Sequence, residues 1–131
     1  MLENPSFLNG YTGLENLKLL ADIQGGIEEK ELRDCLTKVG LDADDKRIYR
    51  KYSLGMKQKL GIAAAIMGSP DIVILDEPIN AIDEAGIEKV REILRGLKES
   101  GSVIIVACHD KEELELLSDE IIKISKGRII V

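Results

Sequence analysis

Tryptophan is absent from these 131 residues, phenylalanine occurs once and tyrosine three times. So thin an aromatic supply excludes a base-stacking platform for single-stranded nucleic acid. The core must then be aliphatic, as where helices pack on a sheet of branched residues. Cysteine is scarce as well: Cys35 and Cys108 stand far apart, and there is a single histidine. Neither a disulfide framework nor a cysteine/histidine zinc site is indicated, and a reducing cytosol fits. Positive charge is outweighed, 18 Lys and Arg against 24 Asp and Glu, for a net charge of −6. That balance argues against a nonspecific grip on nucleic acid or anionic lipid, so any bound phosphate must be held by local geometry. No apolar run approaches the ~20 residues that cross a bilayer, and no basic segment followed by an apolar one opens the chain. What is present, 44% hydrophobic and 32% charged residues, is the composition of a folded globular domain or part of one.

The first half carries helical periodicity. Thr12 followed three positions later by Glu15 has the form of a capping box, and Leu14, Leu17, Leu20 and Ala21 share a face until Gly25-Gly26 stops the helix. The stretch 28–39 repeats the pattern with Leu32, Cys35, Leu36 and Val39, and the acidic run Asp42 to Asp45 reads as a solvated turn. Ser53 stands where it can cap a helix bearing Leu60, Ala63, Ala64 and Met67, closed by Gly68-Ser69-Pro70. The period then shortens. Ile72 to Leu75 is a continuous aliphatic run, which predicts a strand buried on both faces of a parallel sheet. A helix over about 83–99, striped with Ile87, Val90, Leu94 and Leu97, leads to a second such run from Val103 to Val106. Strand, helix, strand makes a right-handed βαβ unit whose two strands end at one edge. After Asp110 a short helix precedes strands at 120–124 and 128–131 around Lys126-Gly127. The fold class read from this order is α/β, a parallel sheet with flanking helices plus an α-helical subdomain.

Ligands of open parallel sheets bind outside the carboxyl ends of the strands. Those ends carry Asp76-Glu77 and His109-Asp110. A carboxylate directly after a buried strand can hold Mg²⁺, and a second beside it can deprotonate a water; equally, such an acid can simply cap the next helix. Ser53-Leu54-Gly55-Met56-Lys57 opens a helix with free amides and cations, an anion site or an ordinary capped helix. Cys108 and His109 are chain neighbours whose side chains point to opposite faces of an extended segment, which disfavours a thiol dyad.

Together these pieces resemble the ATP-binding cassette ATPases that drive ABC transporters, with the partial P-loop NTPase fold that family has. YSLGMKQK stands where the signature LSGGQ-x-Q-R/K stands, IVILDEP resembles the Walker B strand, Asn80-Ala81-Ile82-Asp83 the D-loop, and His109 in ACHD the switch histidine. Leu2-Glu3-Asn4-Pro5 resembles the Q-loop region, with Glu3 at the usual glutamine, and 12–51 the helical subdomain that docks on membrane helices. Leu54 and Met56 depart from LSGGQ in the manner of exporters similar to bacitracin and lantibiotic self-protection transporters. The resemblance implies two parts: 1–69 as Q-loop remnant, helical subdomain and signature helix, and 70–131 as the Walker B, D-loop and switch-histidine half. It implies ATP and Mg²⁺ as cofactors, with Asp76 and Glu3 toward the metal, Glu77 as general base and His109 on the γ-phosphate. Ser53, Gly55 and Met56 would close over ATP held by an opposing subunit, with Asp83 at that seam. The implied partners are a second nucleotide-binding domain, as a homodimer, and a transmembrane transporter subunit that places the chain on the cytoplasmic face of the membrane. Nucleic acid is not among them, and the acidic balance also argues against an ABC ATPase of DNA repair or translation.

One motif of that family is missing. The Walker A loop GxxxxGK, whose amides and lysine cradle the phosphates, cannot be present, since none of the 12 glycines is followed by lysine. The expectation is therefore a shortened nucleotide-binding domain, coupling ATP hydrolysis to export only in full-length form, or else a non-catalytic module that associates with itself or a partner. The family's strand order would put the absent strand between the His109 strand and 120–124, leaving open strand edges that recruit a second chain.

Overall fold

Thr12 starts the first helix as the spacing requires. Its hydroxyl accepts from Glu15 N at 3.2 Å while Glu15 Oε1 accepts from Thr12 N at 3.0 Å. Both free amides of a complete capping box are thus satisfied. The stop is Gly25, whose φ of +77° suits a residue without a Cβ. Thr12→Ala is expected to lower unfolding free energy by about 1 kcal/mol, read as a shift in urea midpoint at unchanged m-value.

In this computed structural model, residues 7–130 are described. Among them the elements run α1 (Gly13–Gln24), α2 (Glu29–Lys38), a 3₁₀ turn (Tyr49–Lys51), α3 (Leu54–Ile66), β1 (Ile72–Asp76), α4 (Glu84–Glu99), β2 (Val103–Ala107), α5 (Lys111–Leu117), β3 (Lys123–Ser125) and β4 (Arg128–Ile130). Leu17, Leu32, Leu36 and Leu60 are buried where α1, α2 and α3 meet, in a core that continues to Val73 and Leu75 of β1 and Val90 and Leu94 of α4. The helical and sheet-bearing halves therefore share one apolar interior. Asn16 is buried and satisfied within it. Its Nδ2 donates to the carbonyls of Leu8 at 3.1 Å and Thr12 at 3.0 Å, and its Oδ1 accepts from Leu8 N at 2.8 Å, tying the entering chain to α1.

β1 and β2 pair in parallel with Ile72 opposite Val103 and Asp76 opposite Ala107, as a βαβ unit requires. Burial on both faces does not hold. Val73 and Leu75 are buried, but Ile72 (61%), Ile74 (53%), Val103 (58%) and Ile105 (53%) are exposed on the opposite face. Helices α3 and α4 pack on one side of the pair, and alternation along a strand sends every second side chain to the other. β3 also begins later than the strand expected over 120–124, at Lys123, and forms with β4 a separate antiparallel hairpin. Its turn is Lys126 and Gly127, both at positive φ, the two-residue geometry that matches strand twist. A groove of about 980 Å³ lies between β2 and this C-terminal stretch, walled by Leu94, Ile104, Val106, Leu117, Ile121 and Ile124.

Candidate functional site

Parallel pairing puts the C-terminal ends of β1 and β2 side by side, and with them the residues that follow. Asp76 closes β1, half-buried, opposite Ala107. At Glu77 the chain turns sharply with φ at +48°. Its N–H donates to Ala107 O at 2.8 Å, which continues the ladder one residue past the strand. Its carboxylate meets His109 Nδ1. The Glu77 side chain is 14% exposed and that of His109 88%, so a largely covered carboxylate sits under an imidazole open to solvent.

His109 is set by the short segment leading into α5. Asp110 caps that helix, its Oδ1 accepting from Glu113 N at 3.2 Å, and Cys108 Sγ accepts from Asp110 N at 3.3 Å. Partial burial pushes the Cys108 thiol pKa up, which suits a packing role over a nucleophile. Glu113 is buried against Arg91 of α4, whose Nε donates to Oε2 at 3.1 Å while Nη2 contacts Oε1. Arg91 also reaches Glu88 at 3.0 Å, and its pKa is raised by these carboxylates, Glu113 foremost. A forked guanidinium on a covered carboxylate fixes α5 against α4, and so sets where His109 stands.

On α3, Ser53 is the N-cap, its Oγ accepting from Met56 N at 3.1 Å. Gly55 lies against the D-loop-like turn so closely that a Cβ there would stand 2.7 Å from Ala81 O. Met56 is half-buried and packs against the core. Lys57 Nζ lies 4.9 Å from the centre of the Tyr49 ring. Asp83 is the N-cap of α4, accepting from Gly86 N at 2.9 Å. The capping alternative therefore describes what Ser53 does in this structure, and Asp83 caps α4 in the same way.

The structure thus brings Asp76, Glu77 and His109 to one rim. Ser53 and Asp83 make no hydrogen bond to any of the three among the described residues, and Glu3 lies outside the described residues. Sequence reasoning missed Gln58, whose Nε2 donates to Glu77 O at 2.9 Å. The sequence carried it only as the glutamine of YSLGMKQK that matches the Q before R/K in LSGGQ-x-Q-R/K, a helical turn after Gly55 on the same face, with no role attached. It missed Arg91, Glu113 and Asn16 too, which carry no local pattern.

Among the described residues no three His, Cys, Asp or Glu side chains converge as a metal cage. Asp76 alone at the strand end fits a cation that takes the rest of its oxygens from phosphate and water, which is how Mg²⁺ is held in nucleotide sites. No helix among the described residues is long and apolar enough to cross a membrane.

A helix-flanked parallel strand pair with acids at its carboxyl rim, joined to a helical subdomain, defines part of a P-loop NTPase fold. The ABC transporter family model matches residues 1–80, and the chain belongs to that family. It is 41% identical to the bacitracin transport ATP-binding protein BcrA of Enterococcus faecalis, over 99% of this chain and 42% of that protein. It is 39% identical to the lantibiotic transport ATP-binding protein SrtF of Streptococcus pyogenes, over 100% of this chain and 57% of that protein. The solved structure of an ATP-binding subunit of an ABC transporter superposes with a TM-score of 0.89 at 28% identity, covering 98% of this chain and 55% of that one. The chain spans about half the length of the relatives it matches.

Proposed function

We propose that this chain is the part of an ABC transporter's ATP-binding subunit that supplies the hydrolytic carboxylate and the trans-acting signature face, in a system for export or self-protection. The observation that carries the reading is the Glu77 carboxylate on its left-handed turn, flanked by Asp76 and capped by His109. Glu77 would accept a proton from the attacking water, and His109 would donate to the γ-phosphate. Asp76, with Glu3, would face the metal. Bound Mg²⁺ supplies charge neutralisation between the phosphates of ATP. Ser53, Gly55 and Met56 would present the amino end of α3 to a nucleotide on an opposing subunit, whose seam Asp83 would line. On this reading residues 1–69 and 70–131 are the two working halves. The chain sits at the cytoplasmic face, bound to a transmembrane subunit and to a second nucleotide-binding domain.

By itself the 131-residue chain is expected to bind ATP more weakly than micromolar in calorimetry and to show little or no hydrolysis, because no Gly-Lys step exists to grip the β and γ oxygens. The reading is tested by ATPase assay of a complete domain in which a Walker A segment precedes these residues; an inactive, folded domain would overturn it. A second reading, a non-catalytic self-associating module, is favoured by the exposed sheet face of Ile72, Val103 and Ile105.

A further inference from the structure

The backbone at Glu77 is held from three directions. Its φ of +48° lies in the left-handed region, where a glutamate stays only if its surroundings impose it. The N–H donates to Ala107 O at 2.8 Å, and the carbonyl accepts from Asn80 N at 3.2 Å. Those two bonds belong to the strand pair and the turn. The third comes from α3: Gln58 Nε2 donates to the same carbonyl at 2.9 Å across 19 positions of sequence. One helical turn earlier, the Gly55 backbone presses on the carbonyl of Ala81, another left-handed residue at φ +62°. Helix α3 therefore grips the turn at Glu77 by a hydrogen bond and at Ala81 by close contact.

We propose that Gln58 is a positioning residue for Glu77, joining the first turns of α3 and the carboxylate into one mechanical unit. A displacement of the Ser53 end of α3 then shifts Glu77 against His109. This deepens and rests on the nucleotide reading, under which the Ser53 end faces the opposing subunit's nucleotide, so each carboxylate would register occupancy of the other site.

His109 is the single histidine of the chain, so one set of imidazole NMR signals reports the contact with Glu77. Gln58→Met keeps the length and bulk of the side chain and removes the donor; Gln58→Lys restores a donor of similar reach. In the 131-residue chain without nucleotide, Q58M is expected to move the His109 imidazole ¹⁵N signals and to speed hydrogen exchange at the Glu77 amide about tenfold, the effect of one lost hydrogen bond. Q58K should leave both near their original values, and amides of α1 and α2 should keep their protection in both variants. Unchanged His109 and Glu77 signals in Q58M would overturn the proposal. So would a uniform loss of protection, which would make Gln58 a general stabiliser. If Q58M does not fold, Gln58→Asn, too short by one methylene to reach the carbonyl, takes its place under the same criteria. No nucleotide enters this measurement, so its failure leaves the ATPase test standing, and an inactive complete domain leaves the link between Gln58 and Glu77 intact.

Discussion

Replacing Glu77 with glutamine is expected to cut ATP hydrolysis by a complete nucleotide-binding domain carrying these residues roughly 10²- to 10⁴-fold, the usual worth of a positioned general base. Glutamine has nearly the same volume and leaves the three backbone bonds at this residue in place, so loss of fold would not account for inactivity. What disappears is proton affinity at one oxygen under the imidazole of His109. ATP affinity should stay within about threefold, since an interaction made in the transition state and not in the ground state appears in kcat and leaves binding alone. Steady-state kinetics with a separate binding measurement check both halves. Retention of most of the activity would reduce Glu77 to a structural turn residue, and an equal loss of ATP affinity would place it among the ground-state contacts.

At high concentration the 131-residue chain is expected to scatter light as a dimer or larger assembly. Ile72, Val103 and Ile105 lie together on an exposed sheet face, each more than half open. Full burial of such a side chain is worth about 1.5–3 kcal/mol, so covering a few of them with a second copy offsets much of the cost of association. β2 adds to this. Among the described residues its one sheet neighbour is β1, and an edge strand beside an apolar groove is a template for another chain. Val103→Lys combined with Ile105→Lys is expected to return the mass to that of a monomer with little change in Tm, because neither side chain contributes to the buried core. A monomeric parent chain at high concentration would sink this expectation.

The helices were legible residue by residue. Thr12, Ser53 and Asp83 cap α1, α3 and α4 where capping chemistry places them, and on the stripes read for α1 and α2 Leu17, Ala21, Leu32, Cys35, Leu36 and Val39 are buried, with Leu14 and Leu20 partly so. β1 and β2 were legible as strands, and their parallel pairing followed from the helix between them. Their burial was not, because an aliphatic run does not reveal which of its faces is covered. The start of β3 was misjudged for a related reason: Ile121 and Ile122 are apolar, yet they are exposed and form no ladder, and pairing defines a strand more than composition does.

At the site, the strand-end acids and the histidine were readable as candidates because parallel strands share an edge. The family resemblance, carried on four short motifs, implied roles for them before any coordinate. By itself, then, the sequence determined the caps, the helical periods, the α/β order and the family, since each of these is written within a few turns of contiguous chain. Only the tertiary structure decided that Gln58 holds the Glu77 carbonyl, that Arg91 clamps Glu113 behind His109, and which sheet face stays open. Those contacts join residues about twenty positions apart or more. They depend on how each helix is rotated and seated on the sheet, a property of the packed whole that no local pattern encodes.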